Sequence, residues 1–191
     1  MILYGSQTSP FVRRIRLLLP SETYEFKRVD IFNREERDQL RKLSPLLKIP
    51  MLSIDDQIIW DSRVIFNELC KRKYHPPLNI NEENLLTAMS DLSDSLIQKL
   101  LATRSKVSFP SGTPLEISHS ERIQNTLTFL EYQCSIGNFS EWNFISMCLY
   151  CLIDWINFRN LIDLSPFPIL IEFKQKNINQ DRIELTDPRI K

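Results

Sequence analysis

Three short stretches place polar chemistry at the boundaries of predicted elements. Ser9-Pro10 opens a helix: serine suits the N-cap, and proline suits the first helical position, where its missing N–H costs nothing. Asp61-Ser62 opens another. A helix N-terminus offers free N–H groups and a positive dipole end, so each serine stands where an anion is favoured. Asp61 beside it can meet an ammonium group. Lys48-Ile49-Pro50 lies at the start of an apolar strand. A strand that leaves its N–H and C=O open can take a peptide-like ligand by strand addition. Tyr4, Ser6 and Thr8 are nearby hydroxyls that could share or take the role of Ser9. From local sequence alone each serine is equally a helix cap, and Pro50 is equally a trans proline at a strand edge.

Other chemistries lose ground. Only three glycines occur, Gly5, Gly112 and Gly137, and no glycine-rich phosphate loop can be written from them. Two histidines and four scattered cysteines give neither a zinc site nor a disulfide framework, so no metal is expected. Cys148-Leu-Tyr-Cys151 has redox spacing, but it lies inside an apolar helix rather than after a strand, so small core residues are expected there. Lysine plus arginine number 24 and aspartate plus glutamate 24, a net charge of zero that argues against a dedicated nucleic-acid binder. Arg13, Arg14 and Arg16 are expected on a solvated helix face, and His75 as an exposed loop residue. The longest unbroken apolar run, Met147–Ile153, has seven residues, against about 20 for a membrane span. The opening Met-Ile-Leu-Tyr-Gly has no basic region or long apolar core before Pro10, so the expected compartment is the cytoplasm.

The elements that must position these residues follow from the apolar pattern. Met1–Gly5 and Tyr24–Ile31 read as strands, with a helix from Ser9-Pro10 to Pro20 between them and a surface helix over 34–43 after them. Met51–Ile54 and Ile58–Trp60 form a hairpin around Asp55-Asp56-Gln57, and Asp61-Ser62 caps the next helix. The order is β-α-β-α-β-β-α over residues 1–74, with a proline-bearing linker at 75–80. Residues 81–191 read as all-helical. Leu85, Met89, Leu92, Leu96 and Leu100 form the seam of a first long helix. Val107–Glu116 reads as a loop, and Ser118-His119-Ser120-Glu121 as a capping box. Ser140 is expected to cap a buried central helix from Glu141 to about Asn157, with Phe139 stapled to Phe144. Ser165-Pro166 starts a last short helix before a polar, irregular tail.

In order and at these spacings, Ser9-Pro10-Phe11-Val12-Arg13-Arg14, Lys48-Ile49-Pro50-Met51-Leu52 and Trp60-Asp61-Ser62-Arg63 resemble the cytosolic glutathione S-transferase superfamily over essentially the whole chain. Thr8–Arg13 looks especially like small bacterial members. The resemblance implies an α/β thioredoxin-like N-terminal domain that binds glutathione and an all-α C-terminal domain that forms the pocket for an electrophile in the cleft between them. It implies that Ser9 contacts the glutathione sulfur and serves as the catalytic group. Pro50 matches the family's cis-proline, and the preceding Ile49 pairs its backbone with the cysteinyl amide. Asp61 and Ser62 match the pair that holds the γ-glutamyl group. Phe11 falls within the matched glutathione-binding stretch, and Lys48 is a weaker candidate for the glycyl carboxylate. Ser140 matches the capping motif of the central helix, with Asn143 where an aspartate is usual. A cytoplasmic homodimer that conjugates or detoxifies a small electrophile is implied, with glutathione as co-substrate.

Departures from the pattern are Leu47, where the family often has glycine before the lysine, and Gln57 in place of a turn glycine. Serine rather than cysteine at position 9 argues against disulfide exchange through an enzyme thiol. Trp60–Ile65 and Tyr74–Leu78 are also similar to the stringent starvation protein A, which implies a non-enzymatic alternative acting through contacts with RNA polymerase. No residue of the helical half announces the identity of an electrophile.

Overall fold

The computed structural model describes residues 1–107 and 109–190. Ser108, inside the expected loop, and Lys191, at the end of the expected helical domain, lie outside the described residues. The chain divides into two compact units, Met1–Pro77 with Asn179–Lys191, and Leu78–Ile178.

The first unit holds β1 (Ile2–Gly5), α1 (Pro10–Leu18), β2 (Glu25–Arg28), α2 (Arg34–Leu43), β3 (Met51–Ile54), β4 (Gln57–Trp60) and α3 (Ser62–Lys71). The sheet order is β2-β1-β3-β4. β1 runs parallel to β2 and antiparallel to β3, and β3 pairs antiparallel with β4. The second strand is shorter than the alternation over 24–31 suggests; past its end Val29 still donates its N–H to the Gly5 carbonyl (2.9 Å) and packs with Leu40 and Met51.

Period-two alternation sends neighbouring residues of β1 to opposite faces. Tyr4 lies opposite Met51 and packs on the Val29–Leu40–Met51 cluster. Gly5 turns to the other face, towards α1. A Cβ on Gly5 would lie 2.5 and 2.6 Å from the two Val12 methyl carbons, so only glycine lets α1 sit this close to β1.

The hairpin turn is Asp55-Asp56, both with positive φ (46° and 61°), the left-handed pair that a two-residue turn requires. Gln57 therefore opens β4 rather than sitting in the turn. Aspartate tolerates this backbone, which is how the turn forms without glycine. Leu47 also has positive φ (51°), and its side chain packs against the α2 cluster.

Arg13 and Arg14 are not on a solvated face; both are buried. Arg13 donates from Nε to Thr186 Oγ1 (3.2 Å) and from Nη2 to the Ile183 carbonyl (3.1 Å). Arg16 reaches the Leu185 carbonyl (3.4 Å) and lies 4.4 Å over the Phe26 ring. Residues 179–190 thus strap α1, and this tail groups with the α/β unit rather than with the helices that precede it. His75 is half-buried beside Phe66, with ring centroids 6.4 Å apart. Burial, and then the Arg182 charge, lower its pKa from the ordinary value.

The second unit packs α4 (Ile80–Arg104), α5 (Pro114–Ser135), α6 (Phe144–Arg159) and α7 (Pro168–Lys176). α4 starts with a full capping box of Asn79 and Glu82. Its seam residues Leu85, Met89, Leu92 and Leu96 are all buried. α5 begins one turn earlier than its expected Ser118 box: Thr113-Pro114 supplies both cap and first residue. α6 is capped by Asn143, not Ser140. The Asn143 side chain accepts from Ile145 N–H (3.1 Å) and Ser146 N–H (3.2 Å), so the helix starts at Phe144. Phe139 is buried and meets Phe173 edge-on at 5.9 Å. α7 starts at Pro168, beyond Ser165-Pro166, and its own cap residue Phe167 supplies no side-chain acceptor. Glu131 of α5 does so instead, accepting from the Ile169 and Leu170 N–H groups at 2.8 Å each.

Every residue of α6 from Phe144 to Ile156 is buried, Cys148 and Cys151 among them. Asp154 shares this interior and pairs with Lys174 of α7 at 3.0 Å. Burial, with a further push from Glu131, raises the Cys134 thiol to about 12. Among the described residues no helix is long and apolar enough to cross a membrane.

Candidate functional site

The sheet register brings the sequence-predicted residues of the first unit to one end. Tyr4 pairs with Met51, and Met51 with Trp60. The chain leaving β1 towards Ser9, the chain entering β3 through Lys48-Ile49-Pro50, and the chain leaving β4 into Asp61-Ser62 therefore lie side by side.

Ser9 is the N-cap of α1. Its Oγ accepts from Val12 N–H at 3.4 Å, and its own N–H donates to the Ser6 carbonyl at 3.1 Å. Among the described residues nothing accepts the Ser9 hydroxyl proton, and the side chain is half-buried. Ser6 and Thr8 hydroxyls face each other at 3.2 Å. Tyr4 is on the opposite sheet face, with Lys27 Nζ 5.8 Å from its ring centre, so it is separated from this group. Phe11, in the first turn of α1, is half-buried.

The Ile49–Pro50 peptide bond is cis. Pro50 is buried, Ile49 half-buried and Lys48 exposed. Among the described residues, the N–H and C=O of Ile49 have no hydrogen-bond partner.

Asp61 caps α3 with φ 80°, a left-handed conformation uncommon for a non-glycine residue, and accepts from Arg63 N–H at 2.7 Å. Its side chain is exposed. Ser62 is 1% exposed. Its Oγ accepts from Arg14 Nε (3.0 Å) and also from Arg14 Nη2. The Arg14 guanidinium lies 4.7 Å over the Phe11 ring. An arginine of α1 is thereby held between Phe11 and the first residue of α3, adding positive charge beneath a helix N-terminus that already favours anions. With its lone pairs engaged by Arg14, the Ser62 hydroxyl is left to donate.

Arg14 is the site residue that sequence reasoning missed. Its neighbours in Arg13-Arg14-Ile15-Arg16 read as a charged face, and only the contact with Ser62 distinguishes it. The arrangement combines a hydroxyl donor at one helix start, an open main-chain pair, and a positively reinforced second helix start with a carboxylate at its lip. It can hold a short peptide-like molecule bearing a carboxylate, an ammonium and an anionic group.

Residues 3–77 match the family model described as "Glutathione S-transferase, N-terminal domain". The similarity in fold extends over the whole chain. A glutathione transferase family member from Pseudomonas fluorescens Pf-5, solved with bound glutathione, superposes with a TM-score of 0.81 at 20% identity, covering 99% of each chain. Residues 3–77 are therefore a glutathione S-transferase N-terminal domain, and the whole chain has the glutathione S-transferase fold. Glutathione S-transferase 1-6 from Anopheles dirus species B gives the same TM-score at 20% identity, covering 97% of this chain and 93% of that one. The Uncharacterized GST-like protein YibF of Escherichia coli (strain K12) is 22% identical over 98% of both chains. The thioredoxin-like first domain and helical second domain are those of the glutathione S-transferase fold.

Proposed function

We propose that this protein of glutathione S-transferase fold binds glutathione, holds its thiol as a thiolate and transfers it to a small electrophile. The observation that carries the reading is the open main chain of Ile49, placed by the β1–β3–β4 register between the Ser9 hydroxyl and the start of α3. In this assignment the Ile49 N–H and C=O pair with the cysteinyl amide. Ser62 and the α3 N-terminus, reinforced by Arg14, take the γ-glutamyl carboxylate, and Asp61 takes the ammonium. Phe11 supports Arg14 from the far side, and Lys48 is positioned for the glycyl carboxylate. Ser9 donates to the sulfur. A free thiol titrates near ~8.5, so a lowering of one to two units gives a mostly ionised sulfur at neutral pH. Bound structural relatives support the ligand class: members from Pseudomonas fluorescens and Methylobacillus flagellatus were solved with glutathione. The expected result is retention on immobilised glutathione and elution by free glutathione. Passage through the column unretained would refute the reading.

The same reading includes a homodimer. The α4 seam residues Leu85, Met89, Leu92 and Leu96 are buried inside the helical unit, so they do not supply the contact surface. A groove of about 960 Å³ on the first unit, lined by Ile58, Trp60, Val64, Asn67, Lys71 and Pro77, is the better candidate, because Trp60 and Val64 are exposed apolar side chains. Sedimentation at micromolar concentration should give twice the 22.6 kDa chain mass. A species of single-chain mass would remove the dimer from the proposal.

A further inference from the structure

The helical unit contains a cavity of about 390 Å³ that the glutathione reading leaves unused. It lies between the C-terminal end of α5, the connection to α6 and one face of α7, and its lining includes Phe139, Ser140, Ile169, Glu172, Phe173 and Lys176. The α7 residues among these are spaced i, i+3, i+4 and i+7, so they share one stripe of the helix. Phe139 and Phe173 are buried and meet edge-on at 5.9 Å, which makes the inner side of the cavity aromatic. Its volume falls at the lower end of the range for small-molecule sites, about 300–1,000 Å³.

The polar groups of this cavity are not used by the protein itself. Glu172 and Lys176 stand four residues apart, in the order that pairs best along a helix. Among the described residues neither forms an ion pair, with the other or with any other group. Asn143 takes the capping role expected of Ser140, and among the described residues the Ser140 hydroxyl has no hydrogen-bond partner. α5 ends at Ser135, on the cavity wall, with no basic residue in its last turn, so the negative end of its dipole has no cation of its own. A solvated glutamate or lysine is ordinary on a helix. Here opposite charges stand one turn apart on the exposed side of a cavity whose inner side is aromatic. A ligand that answers both charges carries an ammonium for Glu172 and a carboxylate for Lys176, adjacent to each other, because Cβ atoms four residues apart on a helix are only about 5–6 Å apart. An amine alone would leave Lys176 without a partner, and an acid alone would leave Glu172.

We infer that the cavity between α5, α7 and the α5–α6 connection binds a free α-amino acid with an apolar side chain, its ammonium on Glu172, its carboxylate on Lys176 and its side chain against Phe139 and Phe173. The site goes beyond the glutathione reading and does not rest on it. Every residue named belongs to the helical unit, and the test contains no glutathione, so the two can fail separately.

L-phenylalanine is titrated calorimetrically into the full chain. Phenethylamine lacks its carboxylate, hydrocinnamate its ammonium and free glycine its apolar group. Saturable binding of L-phenylalanine is expected, with each of the other three weaker by about tenfold or more, the size of effect for one lost charge-assisted hydrogen bond or one unburied ring. Glu172→Gln and Lys176→Met should each weaken L-phenylalanine binding about tenfold or more. Both residues are exposed, so both variants should melt with the parent. Lys176→Met should also abolish the preference over phenethylamine, and Glu172→Gln the preference over hydrocinnamate, which a merely structural role would not do. No saturable heat with L-phenylalanine, equal binding of any of the three partial ligands, or an unchanged dissociation constant in either variant would each overturn the site.

Discussion

Ser9→Ala is expected to raise the thiol pKa of bound glutathione by roughly one to two units while leaving glutathione affinity nearly unchanged. Among the described residues the Ser9 hydroxyl proton has no acceptor, so it is available to the sulfur. A hydrogen bond to a charged group contributes about 1.5–3 kcal/mol, and 1.36 kcal/mol is about one pKa unit. At neutral pH the conjugation rate should fall about tenfold or more and recover partly at higher pH. α1 should survive the change, because the Val12 N–H to Oγ contact is long at 3.4 Å and Pro10 still sits at the first helical position. Ser62→Ala should do the reverse, weakening glutathione binding with a nearly normal thiol pKa at saturation. It also deprives the buried Arg14 of the oxygen it bonds, so it should cost stability as well. Thiolate absorbance of the complex against pH reads both variants. A titration unmoved by Ser9→Ala would reduce Ser9 to a helix cap and pass the role to Ser6 or Thr8.

Lys174→Met should cost about 3–5 kcal/mol, because it removes the cation that pairs with the buried Asp154 carboxylate of α6. The reverse change should be milder. The Lys174 side chain is 19% exposed and the Asp154 side chain 4%, so after Asp154→Leu the ammonium can turn to water while its stem stays packed. Replacing both together should cost less than the sum of the two single losses, the difference being the coupling within the pair. Denaturant unfolding followed by tryptophan fluorescence measures the cycle, with Trp155 adjacent to Asp154 in the chain. Additive losses in the double variant would show that the pair contributes no coupling.

The local rules were legible in the sequence wherever one residue type decides the outcome. α2 occupies Arg34–Leu43 because a charged run with spaced leucines ends at Pro45, and α1 and α3 start where Ser9-Pro10 and Asp61-Ser62 put them. Choices between neighbouring candidates were less so. Ser140 and Asn143 are both good caps; the three residues after Asn143 begin the buried run, and burial of Phe144 fixes the start. Thr113 wins over Ser118 because Pro114 follows it. Long-range partners were not legible at all. Nothing local separates the buried Arg13 and Arg14 from surface arginines; their acceptors lie 173 and 48 residues away, at Thr186 and Ser62. Glu131 likewise reads as a surface residue of α5 until α7 starts on it.

The strap from 179 to 190 bears on how the protein is made. During synthesis the α/β unit emerges first, up to Pro77, but Arg13 then has no Thr186 or Ile183 to bond. More than a hundred residues of the helical unit must leave the ribosome before the strap arrives. The unit that carries the candidate glutathione site is therefore the first to appear and the last to close. A nascent chain arrested near residue 150 should hold that unit in a protease-sensitive form, which the released chain loses once the strap has docked.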